Sequence, residues 1–395
     1  MALISCSVPI FLCVILVVLA TQVPAQIKEY DISKYGAHAD GKTDNSKVIL
    51  NVWNIACQAK GRNLIYIPPG VFMTGALRLK GPCNGQMLFK IKGALRAPSD
   101  PQLGIDNWIS FQWIDKLTVF GDGTFDGQGA YAWPYNNCKE SPSCKLLPTT
   151  LRLDFVNNSR IHHVKFINSK NVHMSLLACH NVQIDHIRIS APGDSPNTDG
   201  IRIASSSGIN IFASRIGTGD DCIAMLPGSR NVNITGVECG PGHGISVGSL
   251  GGTQDEEDVN GLLVQHCTFS GTLNGVRIKT KTSSYPGLAS NITFQDLNMS
   301  TVYNPIIIDQ QYCPFSSCAA GDSQVQISDA KFKNISGTSN SQLAINFLCS
   351  KSRPCERLEL NNIDLDYHGR GGPVKARCIN AKGISYGTQK PPSCF

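Results

Sequence analysis

The sequence predicts an all-β chain folded as a parallel β-helix, a single solenoid of stacked coils, and two repeating patterns carry that prediction. Asp199-Gly200-Ile201, Asp221-Cys222-Ile223 and His243-Gly244-Ile245 recur at intervals of 22 residues. From residue 158 onward, an apolar residue is repeatedly followed by a second three positions later and a third two after that. A repeat of about 20 to 30 residues marks a solenoid, in which equivalent positions of successive coils stack. Neighbouring strands of a parallel sheet lie about 4.7 to 4.9 Å apart, so a polar residue repeated at one position becomes a column.

The elements follow in chain order. Residues 1–25 carry no charge, are almost wholly apolar from Pro9 to Ala20, and end in Val23-Pro24-Ala25. That pattern reads as a secretory signal peptide, although a basic residue near Met1 is missing. The apolar run is too short to span a bilayer comfortably. Residues 26–395 then form one domain, because a solenoid grows by adding coils and needs no second core. Within Tyr35–Cys57, a turn at Asp40-Gly41 precedes Val48, Ile49, Val52, Trp53 and Ala56 at helical spacing, with Asp44 placed to cap the helix. Such a helix serves as a lid over the open end of the solenoid, where strand edges and core would otherwise be bare.

The apolar triplets are Ile161, Val164, Phe166; Ile184, Ile187, Ile189; Ile234, Val237, Cys239; Val264, Cys267, Phe269; Phe294, Leu297, Met299; Ile327, Ala330, Phe332; and Leu360, Ile363, Leu365, with Ser214 in the middle place between Ile211 and Ile216. Two strands separated by a bend give this spacing, all three residues facing inward. A second strand class begins at Asp199, Asp221, His243, Asn274 and Asn304. The charged fraction of 16% and the 37 glycines suit many short strands joined by tight turns.

Without residues 1–25, 14 of the 16 cysteines remain, which points to an oxidising compartment. Five glycosylation sequons, at Asn157, Asn233, Asn291, Asn298 and Asn334, fit the same route. A net charge of +6 favours an anionic partner without choosing among nucleic acid, lipid and acidic polysaccharide.

Asp199, Asp221, His243 and Asn274 occupy equivalent places on four coils, and Asp220 adds a third carboxylate. Arg277 and Lys279 then project from the same face or lie beside it. Turn-capping alone accounts for isolated Asp and Asn residues in solenoids. It does not account for an Asp-Asp pair, a histidine and two cations in one patch. Three close carboxylates cannot all ionise cheaply, so one is expected to hold its proton and serve as an acid. Gly219 suits a sharp turn that brings Asp220 and Asp221 to one side. Gly244-Ile245-Ser246-Val247-Gly248 matches the nucleophile elbow of serine esterases, but an elbow needs a helix after the turn, and this segment lies within a repeating strand. Asn197-Thr198-Asp199-Gly200 is not the Asp-Thr-Gly of an aspartic protease, and no Cys-x-x-Cys or His-x-x-x-His suggests zinc.

In order along the chain stand Asn197-Thr198-Asp199, Gly219-Asp220-Asp221, Gly242-His243-Gly244 and Arg277-Ile278-Lys279. This set resembles the signature of the polygalacturonases, glycoside hydrolase family 28, and Ser195–Gly200 and Cys239–Ile245 look like its plant branch. The resemblance runs from Tyr35 through Tyr312. It implies a right-handed β-helix that hydrolyses α-1,4 bonds of polygalacturonate, or demethylated pectin, with inversion. Stacked carboxylates about 5 Å apart would by themselves suggest retention. By the same resemblance Asp220 is the general acid and Asp199 and Asp221 activate water, while His243 binds substrate or tunes Asp220. Asn197, Arg277, Lys279 and Tyr312 bind substrate, the two cations gripping carboxylates. It further implies the disulfides Cys222–Cys239, Cys349–Cys355 and Cys378–Cys394, and less firmly Cys57–Cys83, whereas Cys267 sits in an apolar slot suited to a free thiol.

After Lys279 the chain reads Thr280-Lys281-Thr282-Ser283-Ser284-Tyr285 and lacks the Trp-Gln-Gly-Gly of plant endo-acting members. The text looks closest to pollen-type members, which trim chain ends. The alternatives are an endo-acting enzyme, a pectate lyase of the same fold that works by calcium-assisted elimination, and an inactive wall-binding homologue. No cofactor, metal, nucleic acid or membrane partner is expected of the mature chain, which is read as a monomer secreted to the cell wall.

Overall fold

The computed structural model describes residues 26–101, 105–136, 144–314 and 318–395. The expected signal peptide lies outside them. Among the described residues no helix is long and apolar enough to cross a membrane.

The chain winds as a parallel β-helix. One wall is a sheet of 11 strands, and the others are stacks that pair coil to coil within a 21-stranded sheet, all named pairings being parallel. The strands turn the corner between the two stacks at a left-handed residue just before the second apolar position of each triplet. His163, His186, Ala213, His266, Asp296, Asn334 and Asn362 hold φ between 47° and 54° there. That bend turns two residues three apart to the same side, which a straight strand cannot do. The inward triplets from Ile161 to Met299, and Leu360, Ile363 and Leu365, are buried, and Ser214 takes its place among them. Rings stack between coils at nearly the strand spacing, Phe125 on Phe166 at 4.8 Å and Phe294 on Phe332 at 5.3 Å.

One triplet is displaced from its expected register. Phe294, Leu297 and Met299 stack on Phe332, Ile335 and Gly337, and not on Ile327, Ala330 and Phe332, which instead lie over Ala289, Ile292 and Phe294. The spacing overlaps itself in this long strand, so two frames satisfy it and only the stacking selects one.

The lid helix spans Ser46–Gln58 and buries Ile49, Val52, Trp53 and Ala56 against the first coils. Trp53 Nε1 donates to the Lys80 carbonyl at 2.9 Å. Its N-cap is Asn45 and not Asp44, whose carboxylate instead accepts from the Ser46 amide at 2.9 Å. Asn45 is turned away from the helix, accepting from the His38 amide at 2.7 Å.

Disulfides join Cys57 to Cys83, Cys222 to Cys239, Cys349 to Cys355 and Cys378 to Cys394, together with an unforeseen short loop between Cys313 and Cys318. Cys179 and Cys267 are buried free thiols.

Candidate active site

Every residue of the polar patch lies on the 11-stranded wall or in the turns that feed it. The strands Ile201–Ala204, Ile223–Met225, Ile245–Leu250 and Asn274–Lys281 are consecutive neighbours, with Ile201, Ile223, Ile245 and Val276 in register. Asp199, Asp221 and His243 fall two residues earlier, in the turns and not in the strands proper. The coils approach closely there. A side chain at Gly200 would meet the Cys222 carbonyl at 2.4 Å, and one at Gly219 the Ser195 carbonyl at 1.9 Å. Gly219 is therefore required by this approach, and a left-handed turn plays no part.

Asp221 is buried and accepts three hydrogen bonds from the two following coils: Ser246 Oγ at 2.7 Å and Arg277 Nη2 at 2.8 Å on Oδ1, and Lys279 Nζ at 2.7 Å on Oδ2. Arg277 Nε also donates to Ser246 Oγ at 3.0 Å. Behind it, Cys222 is tied to Cys239 in the neighbouring wall. Arg277 and Lys279, read from the sequence as gripping substrate carboxylates, are both buried and bonded to Asp221. The Tyr312 ring lies 5.7 Å from the Arg277 guanidinium and 5.1 Å from Lys279 Nζ, beside the Asp221 cluster.

Asp220 is more open. Its Oδ1 lies 3.0 Å from His243 Nδ1 and accepts from the Asp221 amide at 2.8 Å, while Asn197 Nδ2 approaches Oδ2 at 3.5 Å. Asn197 in turn accepts from Asn136 Nδ2 at 3.1 Å. Asp220, Asp221 and His243 each bring a side-chain oxygen or nitrogen within 4.8 Å of the others. Within this trio both Asp221 oxygens already accept from cations, Arg277 on Oδ1 and Lys279 on Oδ2.

Asp199 turns the other way. Both of its oxygens are taken by Arg202, from Nη2 at 2.8 Å and Nε at 2.9 Å. From the preceding coil the buried His173 sets its Nδ1 3.0 Å from the Asp199 carbonyl, with the Ser169 amide 3.3 Å from Nε2. Burial pushes the His173 imidazole down to about 4, so it stays neutral.

The Asp199 carboxyl is raised and the Asp220 carboxyl lowered, whereas the sequence reading has Asp220 hold the proton. Burial pushes the Asp199 carboxyl up to about 6, the Asp220 and Asp221 charges adding to the rise and Arg202 opposing it. Burial also lifts Asp220, but the His243 hydrogen bond and charge, with Lys279 and Arg202, outweigh it and hold that carboxyl below the usual carboxylate range. Partner placement separates the two: Asp220 has His243 in contact and the Lys279 and Arg202 charges nearby, whereas Asp199 has Arg202 alone against its deeper burial.

Sequence reasoning missed three residues. Arg202 and Arg277 share one register column, but no motif contains Arg202. Ser246 was visible only as part of an accidental elbow. Asn136 lies in an irregular loop without a repeat to mark it. A cavity of about 460 Å³ adjoins the site on the side of the earlier coils, lined among others by Trp113, Arg152, Phe155, Ser175 and Arg202.

Residues 57–394 match the model of the glycosyl hydrolases family 28. The chain is 44% identical over 365 residues to an exopolygalacturonase of Platanus acerifolia, covering 92% of this chain and 96% of that protein. It is 46% identical to an exopolygalacturonase of Oenothera organensis, covering 89% and 98%. Among solved structures, the endo-xylogalacturonan hydrolase of Aspergillus tubingensis superposes with a TM-score of 0.76 at 22% identity, over 92% of this chain and 100% of that one. That likeness shows the fold. The chain belongs to glycosyl hydrolase family 28.

Proposed function

We propose that this family 28 chain is a secreted exopolygalacturonase, which hydrolyses the α-1,4 bond at the end of polygalacturonate with inversion. The observation that carries the reading is the pairing of Asp220 with His243 beside an Asp221 locked by Lys279 and Arg277, on a chain of this family. The plant relatives at 44% and 46% identity that are named exopolygalacturonases support the exo mode.

In the proposed reaction Asp220 gives its proton to the glycosidic oxygen as the carbon–oxygen bond breaks. A water held by Asp199 and Asp221 attacks the anomeric carbon from the opposite face and loses its proton to that pair. Asp220 must hold a proton for this. The substrate supplies the means, because its own carboxylates, set against His243 and Lys279, weaken the cations that keep Asp220 ionised and raise its affinity for a proton. Arg277 and Lys279 keep donors beyond those Asp221 uses, Tyr312 forms the wall beneath them, and Asn197 borders the acid. Fully methyl-esterified pectin lacks those charges and is expected to be a poor substrate.

The disulfides fit an oxidising compartment and release to the cell wall. Among the sequons, Asn291, Asn298 and Asn334 are exposed and suit glycosylation better than the half-buried Asn157 and Asn233.

Chromatography of early products from long polygalacturonate tests the reading. Galacturonate alone supports exo hydrolysis, mixed oligomers indicate an endo enzyme, and an unsaturated sugar absorbing ultraviolet light overturns hydrolysis.

A further inference from the structure

Arg202 is held on one edge and open on the other. Its Nε and Nη2 fork both oxygens of Asp199, and its side chain remains one-third exposed in the wall of the adjoining cavity. A guanidinium has five N–H donors, so the fork leaves others for a ligand.

The register places this residue on a path. Down the outward face of the 11-stranded wall one column reads Arg78, Ser110, Arg152, Ser175, Arg202, Ala224, Ser246, Arg277. From Arg78 to Arg202 every second coil carries a guanidinium, a repeat of roughly 10 Å at the parallel-strand spacing. Small Ser side chains lie between and leave the groove open. Arg152 is engaged by Asp154 at 2.5 Å and Ser175 at 2.7 Å, and the stacked rings of Trp113 and Phe155, 6.1 Å apart, flank the cavity. A flat ring beside a planar cation is a surface for a sugar acid.

We infer that Arg202 has two duties: it clamps Asp199 as a carboxylate, and its free edge takes the carboxylate of the hexuronate unit that occupies the cavity. Both duties deepen the proposed polygalacturonase reading and rest on it. Arg202 is a positioning residue toward Asp199 and a specificity residue toward the sugar. The burial of Asp199 makes the first duty necessary, since burial, with the neighbouring Asp220 and Asp221 charges, drives its carboxyl toward the neutral form.

The test compares wild type with Arg202→Gln and Arg202→Lys, with folding monitored by thermal denaturation. Calorimetric binding of free galacturonate and of galactose reads the second duty, and the pH profile of kcat/KM reads the first. Arg202→Gln is expected to weaken galacturonate binding at least about tenfold relative to galactose. It should also move the acidic limb upward by about one pH unit or more, the scale of a lost opposite charge. Arg202→Lys should recover part of the galacturonate preference but little of kcat, because an ammonium cannot fork both oxygens. An unchanged galacturonate preference in Arg202→Gln overturns the binding duty, and an unmoved acidic limb overturns the clamp. If wild type cuts polygalacturonate but binds no galacturonate, the inference fails while the functional reading stands. If it binds galacturonate through Arg202 but cuts no polymer, the functional reading fails and the anion site stands.

Discussion

His243 Nδ1 lies 3.0 Å from Asp220 Oδ1, one coil away. Burial is the largest single influence on the proposed acid and pushes its carboxyl up, but this contact together with the Lys279 and Arg202 charges outweighs it and holds Asp220 below the usual carboxylate range. Replacing His243 by Ala removes the larger opposing cause, so the Asp220 carboxyl rises. The basic limb of kcat against pH is then expected to move to higher pH, with a weakened affinity for polygalacturonate. A variant that loses the basic limb altogether while keeping its affinity would make His243 the acid.

Asp220→Asn is expected to keep the fold and lower kcat by roughly 10² to 10⁴, the contribution of one positioned acid. Asp220 is the most open of the three carboxylates and its amide isostere can still accept from the Asp221 amide, so the melting temperature should change little. A near-normal rate in the folded variant would remove Asp220 from the reaction.

Asp199 should make the enzyme less stable where it is active. Its carboxyl is raised from an ordinary 3.8 to about 6 in the folded chain. Between those values the folded state binds the extra proton, so stability is present at low pH and is lost as pH rises through about 6. Asp199→Asn should abolish activity yet gain stability at pH 7 relative to pH 4, by about 1 kcal/mol or more against wild type. Thermal melts of both proteins at the two pH values check this, and a parallel pH dependence in the two would show that Asp199 carries no such penalty.

Lys279→Ala leaves the buried Asp221 one charged partner short. Breaking a buried pair from one side costs about 3 kcal/mol or more. Arg277 and Ser246 remain bonded to Asp221, so the loss should fall at the low end, with kcat reduced as well. Urea unfolding measures the first and steady-state kinetics the second. Wild-type stability in the variant would place Lys279 outside the Asp221 cluster.

Removing the Cys222–Cys239 bridge by serine at both positions should cost about 2 to 4 kcal/mol and reduce activity, since Cys222 directly follows Asp221. Calorimetric melting beside an assay on polygalacturonate reads both. Lost stability with full activity would show that the bridge does not position the carboxylate.

The sequence alone determined the solenoid and picked out part of the polar cluster on its wall. A repeat of 22 residues and the apolar triplets are one-dimensional traces of stacking, and motif spacing alone marks Asp199, Asp220, Asp221, His243, Arg277 and Lys279. Only the tertiary structure decided which charge meets which. Asp199 and Asp221 hold equivalent places in the repeat, yet Asp199 turns to Arg202 on its own coil and Asp221 to Ser246, Arg277 and Lys279 on the next two. The repeat fixes where a Cα sits, but a carboxylate's partner and its proton depend on the side-chain direction and on how completely the neighbouring coils exclude water. Those are properties of stacked coils, and no single coil's sequence contains them.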